Sequence, residues 1–150
     1  MAKEPNEDLC LLKRLRREQE ALYSQSKPIR IASKGPERKD QDVYIVGYHH
    51  YIDGLKKLQY IPAKFVSNVG KLAEEHPQAC YFEIHSAVIK DKKFDCRSLS
   101  GSPVVNKCGE LLGIVGRADV DDQGIPTSPL FALDLKTIQN FLEEHPINKP

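Results

Sequence analysis

The sequence predicts an all-β protein closed by one helix, and three observations carry that expectation. Most apolar residues fall in short runs that alternate with polar ones at the strand period of two. Ten prolines and nine glycines cut these runs apart at turn-like intervals. Only after Asp134 does the spacing change, with Leu135, Ile138, Phe141 and Leu142 recurring at helical intervals. Several short strands joined by turns suit a barrel or a sandwich.

The first segment has two readings. Residues 9 to 25 are rich in Leu, Arg, Glu and Gln and are able to form one helix. Alternatively Leu9-Cys10-Leu11-Leu12 is a buried strand, followed by a charged excursion over residues 13 to 27. After the polar turn from Lys34 to Gln41, the β-branched and aromatic run Asp42 to Tyr48 predicts a strand. Residues 61 to 69 and 80 to 89 alternate apolar and polar side chains and predict two more, separated by a turn region at Glu74 to Gln78. Pro103-Val104-Val105 and Leu111 to Val115 face each other across Asn106-Lys107-Cys108-Gly109, which predicts a hairpin. A last strand covers Leu130 to Leu133, and the terminal helix starts at Asp134 as N-cap and stops at Pro146.

Bulk properties narrow the function. Forty per cent hydrophobic and 29 per cent charged residues describe a folded domain of ordinary size, with a core of its own. Twenty-two basic residues against 21 acidic ones argue against a nucleic-acid partner held by a broad basic field. The basic run Lys13 to Arg17 is followed at once by Glu18 and Glu20 and reads as a solvated face. No apolar stretch approaches the ~20 residues of a membrane span, so no membrane partner is expected. The N-terminus carries no signal-peptide pattern, which favours a cytoplasmic location and free thiols at Cys10, Cys80, Cys96 and Cys108. Those cysteines form no Cys-x-x-Cys pair and no tight cluster with histidine, so a structural zinc is not expected.

The most informative stretch is Ser98-Leu99-Ser100-Gly101-Ser102-Pro103, a hydroxyl on a glycine-bearing turn at the mouth of the predicted hairpin. It is either a nucleophile presented by a rigid elbow or a loop that happens to be rich in serine. Taken with residues 104 to 115, this stretch resembles the nucleophile loop and following hairpin of chymotrypsin-fold, trypsin-like serine proteases of the Deg/HtrA type. Asp42 to Tyr48 resembles the strand that enters that family's second barrel, and Leu130 to Leu133 with the helix resembles its closing elements. Asn6 to Lys13 is similar to the strand that carries the triad carboxylate. The resemblance spans residues 6 to 145 and favours a strand at residues 8 to 13 over the long helix. It implies a Greek-key β-barrel, the second of two, with residues 1–27 as the end of the first barrel and linker, 28–133 as the barrel and 134–145 as the helix.

The same resemblance implies site residues. Ser100 would be the nucleophile and Asp8 the carboxylate that orients a histidine base. Backbone N–H groups of Ser98 and Ser100 would form the oxyanion hole. Phe94 and Asp95 would approach the floor of the primary specificity pocket, and Gly116-Arg117-Ala118 would be the edge that pairs with a peptide substrate. Asp95 favours a basic substrate side chain and Phe94 a small apolar one; the small apolar preference is the expectation.

Three departures from the family matter. Ser98 stands where glycine is usual, which resists the backbone conformation that turns its N–H into the hole. Leu99 replaces the usual Asp or Asn, so no salt bridge to a new N-terminus is expected. No histidine precedes Asp8; His49, His50, His76, His85 and His145 all follow it. His49 and His50 are imaginable as a relocated base, or as metal ligands with Asp53, but read as turn or surface histidines beside Tyr48 and Tyr51. The expectation is therefore a fragment of an endopeptidase whose missing histidine sits on an upstream first barrel, inactive by itself. The alternatives are a catalytically inactive module that binds extended peptides, and a plain structural domain.

Overall fold

A computed structural model describes residues 2–3, 10–11, 28–50, 56–72, 77–88, 99–120 and 126–146. Two short strands, β1 (Ala2–Lys3) and β2 (Cys10–Leu11), pair antiparallel. A strand at Cys10–Leu11 agrees with the strand reading of the N-terminal segment, while residues 12 to 27 lie outside the described part.

The barrel comprises β3 (Asp42–His50), β4 (Lys56–Gly70), β5 (Tyr81–His85), β6 (Pro103–Val105), β7 (Leu111–Val120) and β8 (Pro126–Leu133). Its closed order, β3-β4-β5-β8-β7-β6, is antiparallel throughout. The crossover from β5 past two strands to β6 makes it a Greek key. Closure gives every strand two neighbours, so a free edge is left only where one strand outruns the next.

The interior follows from the alternation. Val43 and Ile45, Ile61, Ala63 and Phe65, Phe82 and Ile84 all point inward and are at most 4% exposed. The rings of Phe65 and Phe82 meet at 5.8 Å between centroids with a 58° tilt, an edge-biased packing suited to aromatic quadrupoles. Gly113 makes room for that cluster. A Cβ there would stand 2.5 Å from the Leu133 carbonyl oxygen and 2.6 Å from the Phe82 ring. Strand β7 therefore passes Phe82 only because position 113 has no side chain.

Helix α1 (Leu135–Glu144) begins as expected: the Asp134 side chain accepts from the Thr137 N–H at 2.8 Å. Thr137 Oγ1 also accepts from the Cys80 N–H at 3.0 Å, and the Asp134 N–H donates to the Cys80 carbonyl at 2.9 Å. Leu135, Ile138 and Phe141 are buried. The helix ends at His145, whose backbone N–H and ring Nδ1 both approach the Phe141 carbonyl, before Pro146.

Element boundaries differ from the sequence reading in several places. Strand β5 stops at His85 rather than residue 89, because Ser86 Oγ donates across to the Pro62 carbonyl at 2.7 Å and the chain turns. Strand β4 starts at Lys56 rather than 61 and β8 at Pro126 rather than 130. Strand β3 continues through His49 and His50, which sit in the ladder opposite Lys57 and Lys56 rather than in a turn. Finally, residues 30 to 32 lie parallel to the start of β7: Leu111 N–H donates to the Arg30 carbonyl at 2.7 Å, and Ala32 N–H to the Leu111 carbonyl at 3.0 Å.

Candidate active site

Strand β6 is three residues long, and its shortness shapes the site. Its neighbours run past it. Ile45 on β3 pairs with Val104, and Ile114 on β7 pairs with Pro103, so β3 beyond Ile45 and β7 beyond Ile114 extend past β6 at the same end. Into that end the chain delivers the turn Leu99 to Ser102.

The Ser102 N–H donates to the Leu99 carbonyl at 2.9 Å, closing a four-residue β-turn with Ser100 and Gly101 at its corners. Gly101 has φ +85°, the value a type II turn requires at its third position and one that glycine reaches without strain. A Cβ at Gly101 would meet nothing within 4 Å, so the glycine is there for its backbone angle and not for space. Two further bonds fix the turn to β7: Gly101 N–H to the Val115 carbonyl at 2.7 Å, and Val115 N–H to the Ser102 carbonyl at 2.9 Å.

The side chains divide sharply. Leu99 is 1% exposed and belongs to the barrel core, whereas Ser100 beside it is exposed. Burying a leucine side chain contributes ~1.5–3 kcal/mol, enough to hold the turn in place without a charge. Such a turn presents a hydroxyl to solvent from a backbone pinned on both sides, which is what a nucleophile requires of its support.

Next to the turn, β7 runs past the end of its neighbour β6. On its β8 side β7 pairs Val115 with Ala132 and Arg117 with Phe131, so Gly116 is the extra residue of a β-bulge. On its β6 side, among the described residues, no strand pairs with β7 beyond Val115. Gly116, Arg117 and Ala118 are half-buried there. The expected nucleophile and three expected peptide-binding residues are thus brought together at one end of the barrel. Asp8, Phe94, Asp95 and Ser98 lie outside the described residues, as do the side chains of His49 and His50.

The two histidines whose side chains are described are engaged elsewhere. His85 Nε2 lies 2.8 Å from Glu83 Oε1 on β5, which is separated from β7 by β8. The His145 ring stacks on Phe141 with centroids 4.4 Å apart at the end of α1. A cleft of about 320 Å³ lies between Ser33, Gly35, Glu37, Asn68 and the start of α1; Ser100 does not line it. Sequence reading missed the bulge at Gly116 and the strap at residues 30 to 32. Neither has a local pattern, since a bulge is set by the register of the partner strand.

No protein-family model matches the chain, and no curated protein matches its sequence. Solved structures do share the fold. The crystal structure of the Rv3671c protease in its inactive form matches with a TM-score of 0.55 and 20% identity, over 82% of this chain and 56% of that one. The active form of the same protease from M. tuberculosis gives 0.55 and 22%, over 84% and 51%. A serine-to-alanine variant from M. tuberculosis H37Rv, in the inactive form, gives 0.54 and 19%, over 83% and 55%. At these identities the likeness is one of fold: the closed six-stranded barrel with its C-terminal helix is that of chymotrypsin-like proteases. The chain spans about half the length of these structures.

Proposed function

We propose that this chain is the serine-bearing barrel of a trypsin-like serine endopeptidase, with Ser100 as nucleophile. The observation that supports this best is the pairing of an exposed Ser100, on a turn anchored through Leu99, with the open edge of β7 one residue beyond Val115. An extended peptide laid along Gly116 to Ala118 continues the sheet as an added strand and brings one of its carbonyls over Ser100.

The chemistry is acyl transfer. Ser100 Oγ attacks the substrate carbonyl carbon while a histidine takes its proton; the carbonyl oxygen becomes an oxyanion held by the backbone N–H groups of Ser98 and Ser100. Collapse of this intermediate breaks the C–N bond, and the histidine returns the proton to the departing amine. Water then enters by the reverse sequence and frees the acid. Asp8 orients the imidazole, and Phe94 and Asp95 close the pocket, with small apolar side chains preferred. No metal, nucleotide or other cofactor enters these steps. The base belongs to a partner outside these residues, a first barrel that carries the histidine. That His85 and His145 are occupied at other places supports this assignment.

The test is fluorophosphonate labelling. The chain alone should not label, because an unassisted serine hydroxyl is weakly nucleophilic. Joined to a first barrel with its histidine, it should label at Ser100 and lose the label in Ser100→Ala. Ser98→Gly should leave or raise the rate. A joined protein that stays unlabelled, with or without Ser98→Gly, overturns the peptidase reading. It would favour the alternative, a catalytically inactive module that binds extended peptides on the same edge.

A further inference from the structure

The edge of β7 also carries a charge, and that charge has a position. Arg117 lies immediately after the Gly116 bulge, opposite Phe131 of β8, and Ala118 lies opposite Leu130. Leu130 is core and Ala118 packs against the core, so the alternation turns Arg117 to the outer face of the sheet. Its side chain is half-buried, and the ion pairs among the described residues, Lys64 with Asp42 and His85 with Glu83, do not include it. A guanidinium stays charged at every pH a folded protein meets, and partial burial favours giving it an anionic partner.

We propose that the open edge of β7 selects extended peptides bearing an acidic side chain, and that Arg117 is the residue that selects them. This rests on the reading of Gly116 to Ala118 as a peptide-binding edge. The ladder groups of an open strand, alternating N–H donors and C=O acceptors, are matched by another peptide backbone and not by a phosphodiester one. The guanidinium fork then adds a bidentate site for one carboxylate. The Gly101 to Val115 bond places Ser100 beside Val115, and Arg117 stands two residues further along β7. Two strand residues span ~7 Å, so the acidic residue sits about two positions from the peptide bond presented to Ser100. The small apolar pocket preference and this acidic preference concern different side chains of one peptide.

The experiment uses the full chain with Ser100→Ala, which requires no catalysis. Short fluorescein-labelled peptides of a fixed alanine–threonine background carry a single Glu, Gln or Lys at successive positions, and binding is read by anisotropy. At one position Glu should bind about 5- to 10-fold more tightly than Gln, with Lys weakest, and added salt should shrink the difference. Arg117→Gln should abolish the preference, Arg117→Glu should reverse it, and Arg117→Lys should keep part of it. A melting curve for each variant establishes that the barrel is intact. Equal binding of the Glu, Gln and Lys peptides overturns the role of Arg117 and leaves the edge standing. That result is also the one expected if Asp119, Asp121 or Asp122 satisfies the arginine within the chain. A Glu preference that survives Arg117→Gln overturns it too. Binding of none of the peptides overturns the edge reading and this assignment with it.

Discussion

Strand β6 ends in two turns that look alike in sequence and differ in what their polar side chains do. At its start, Leu99 to Ser102 bends through Gly101 at φ +85°; at its end, Asn106 to Glu110 bends through Gly109 at φ +78°. Both glycines have open space where a Cβ would stand. The second turn is sealed by its own side chain: Asn106 Oδ1 accepts from the N–H groups of Cys108 and Glu110 at 2.9 and 3.0 Å, and its Nδ2 donates to Glu110 Oε1 at 3.0 Å. The first turn is sealed from beneath by Leu99, and the Ser100 hydroxyl takes no part among the described residues. A positive-φ glycine therefore marks a turn but not its purpose. Purpose shows in whether the polar side chain is consumed by the turn or left over.

The sharpest way to break this contrast is to remove the apolar anchor. Leu99→Ala should cost ~2–5 kcal/mol of unfolding free energy, the range for a fully buried leucine, read by urea denaturation. A cost below ~1 kcal/mol would mean that the β7 hydrogen bonds alone hold the serine turn. A smaller loss is expected at the other turn. Asn106→Ala removes two acceptor bonds and one donor bond and should cost about 1–2 kcal/mol, with the loss expressed as a lower denaturation midpoint at unchanged m. Smallest of all is Ser100→Ala. It should alter stability by no more than ~0.5 kcal/mol, as for an exposed side chain that supports nothing, while removing all acylation in the joined protein. A destabilisation of Ser100→Ala as large as that of Asn106→Ala would make the two turns equivalent and the serine structural.

Much of the barrel was legible because its strands alternate cleanly. Val43 and Ile45, or Phe82 and Ile84, sit on one face by the period of two, and the structure buries all four. The helix was legible from its cap, since Asp134 does bond Thr137. Strand ends were less so. Nothing local says that His49 and His50 stay in register with Lys57 and Lys56, because the partner strand and not the tyrosine-rich run decides it. Nothing local marks Gly113 in the sequence. Its need arises from Phe82 and Leu133, residues brought to it only by the fold. At the site, the serine turn could be read from its small residues, whereas the edge at Gly116 to Ala118 has no local pattern and was expected only through the family resemblance. That edge exists because β6 stops after three residues while β7 continues for ten.

The seam of the barrel bears on its assembly. Strand β3 meets β4 through nine paired residues but meets β6 through two, Tyr44 with Val105 and Ile45 with Val104. Those two pairs join stretches roughly sixty positions apart, so their loop-closure entropy is among the largest in the chain and is offset only once the intervening strands are laid down. The seam is therefore the last part of the cylinder to shut and the first to part. Ser100 sits on the turn that leads into the strand at that seam. The hydrogen bonds of its turn to β7 form with the local hairpin, but the burial of Leu99 that anchors the turn from beneath belongs to the closed barrel.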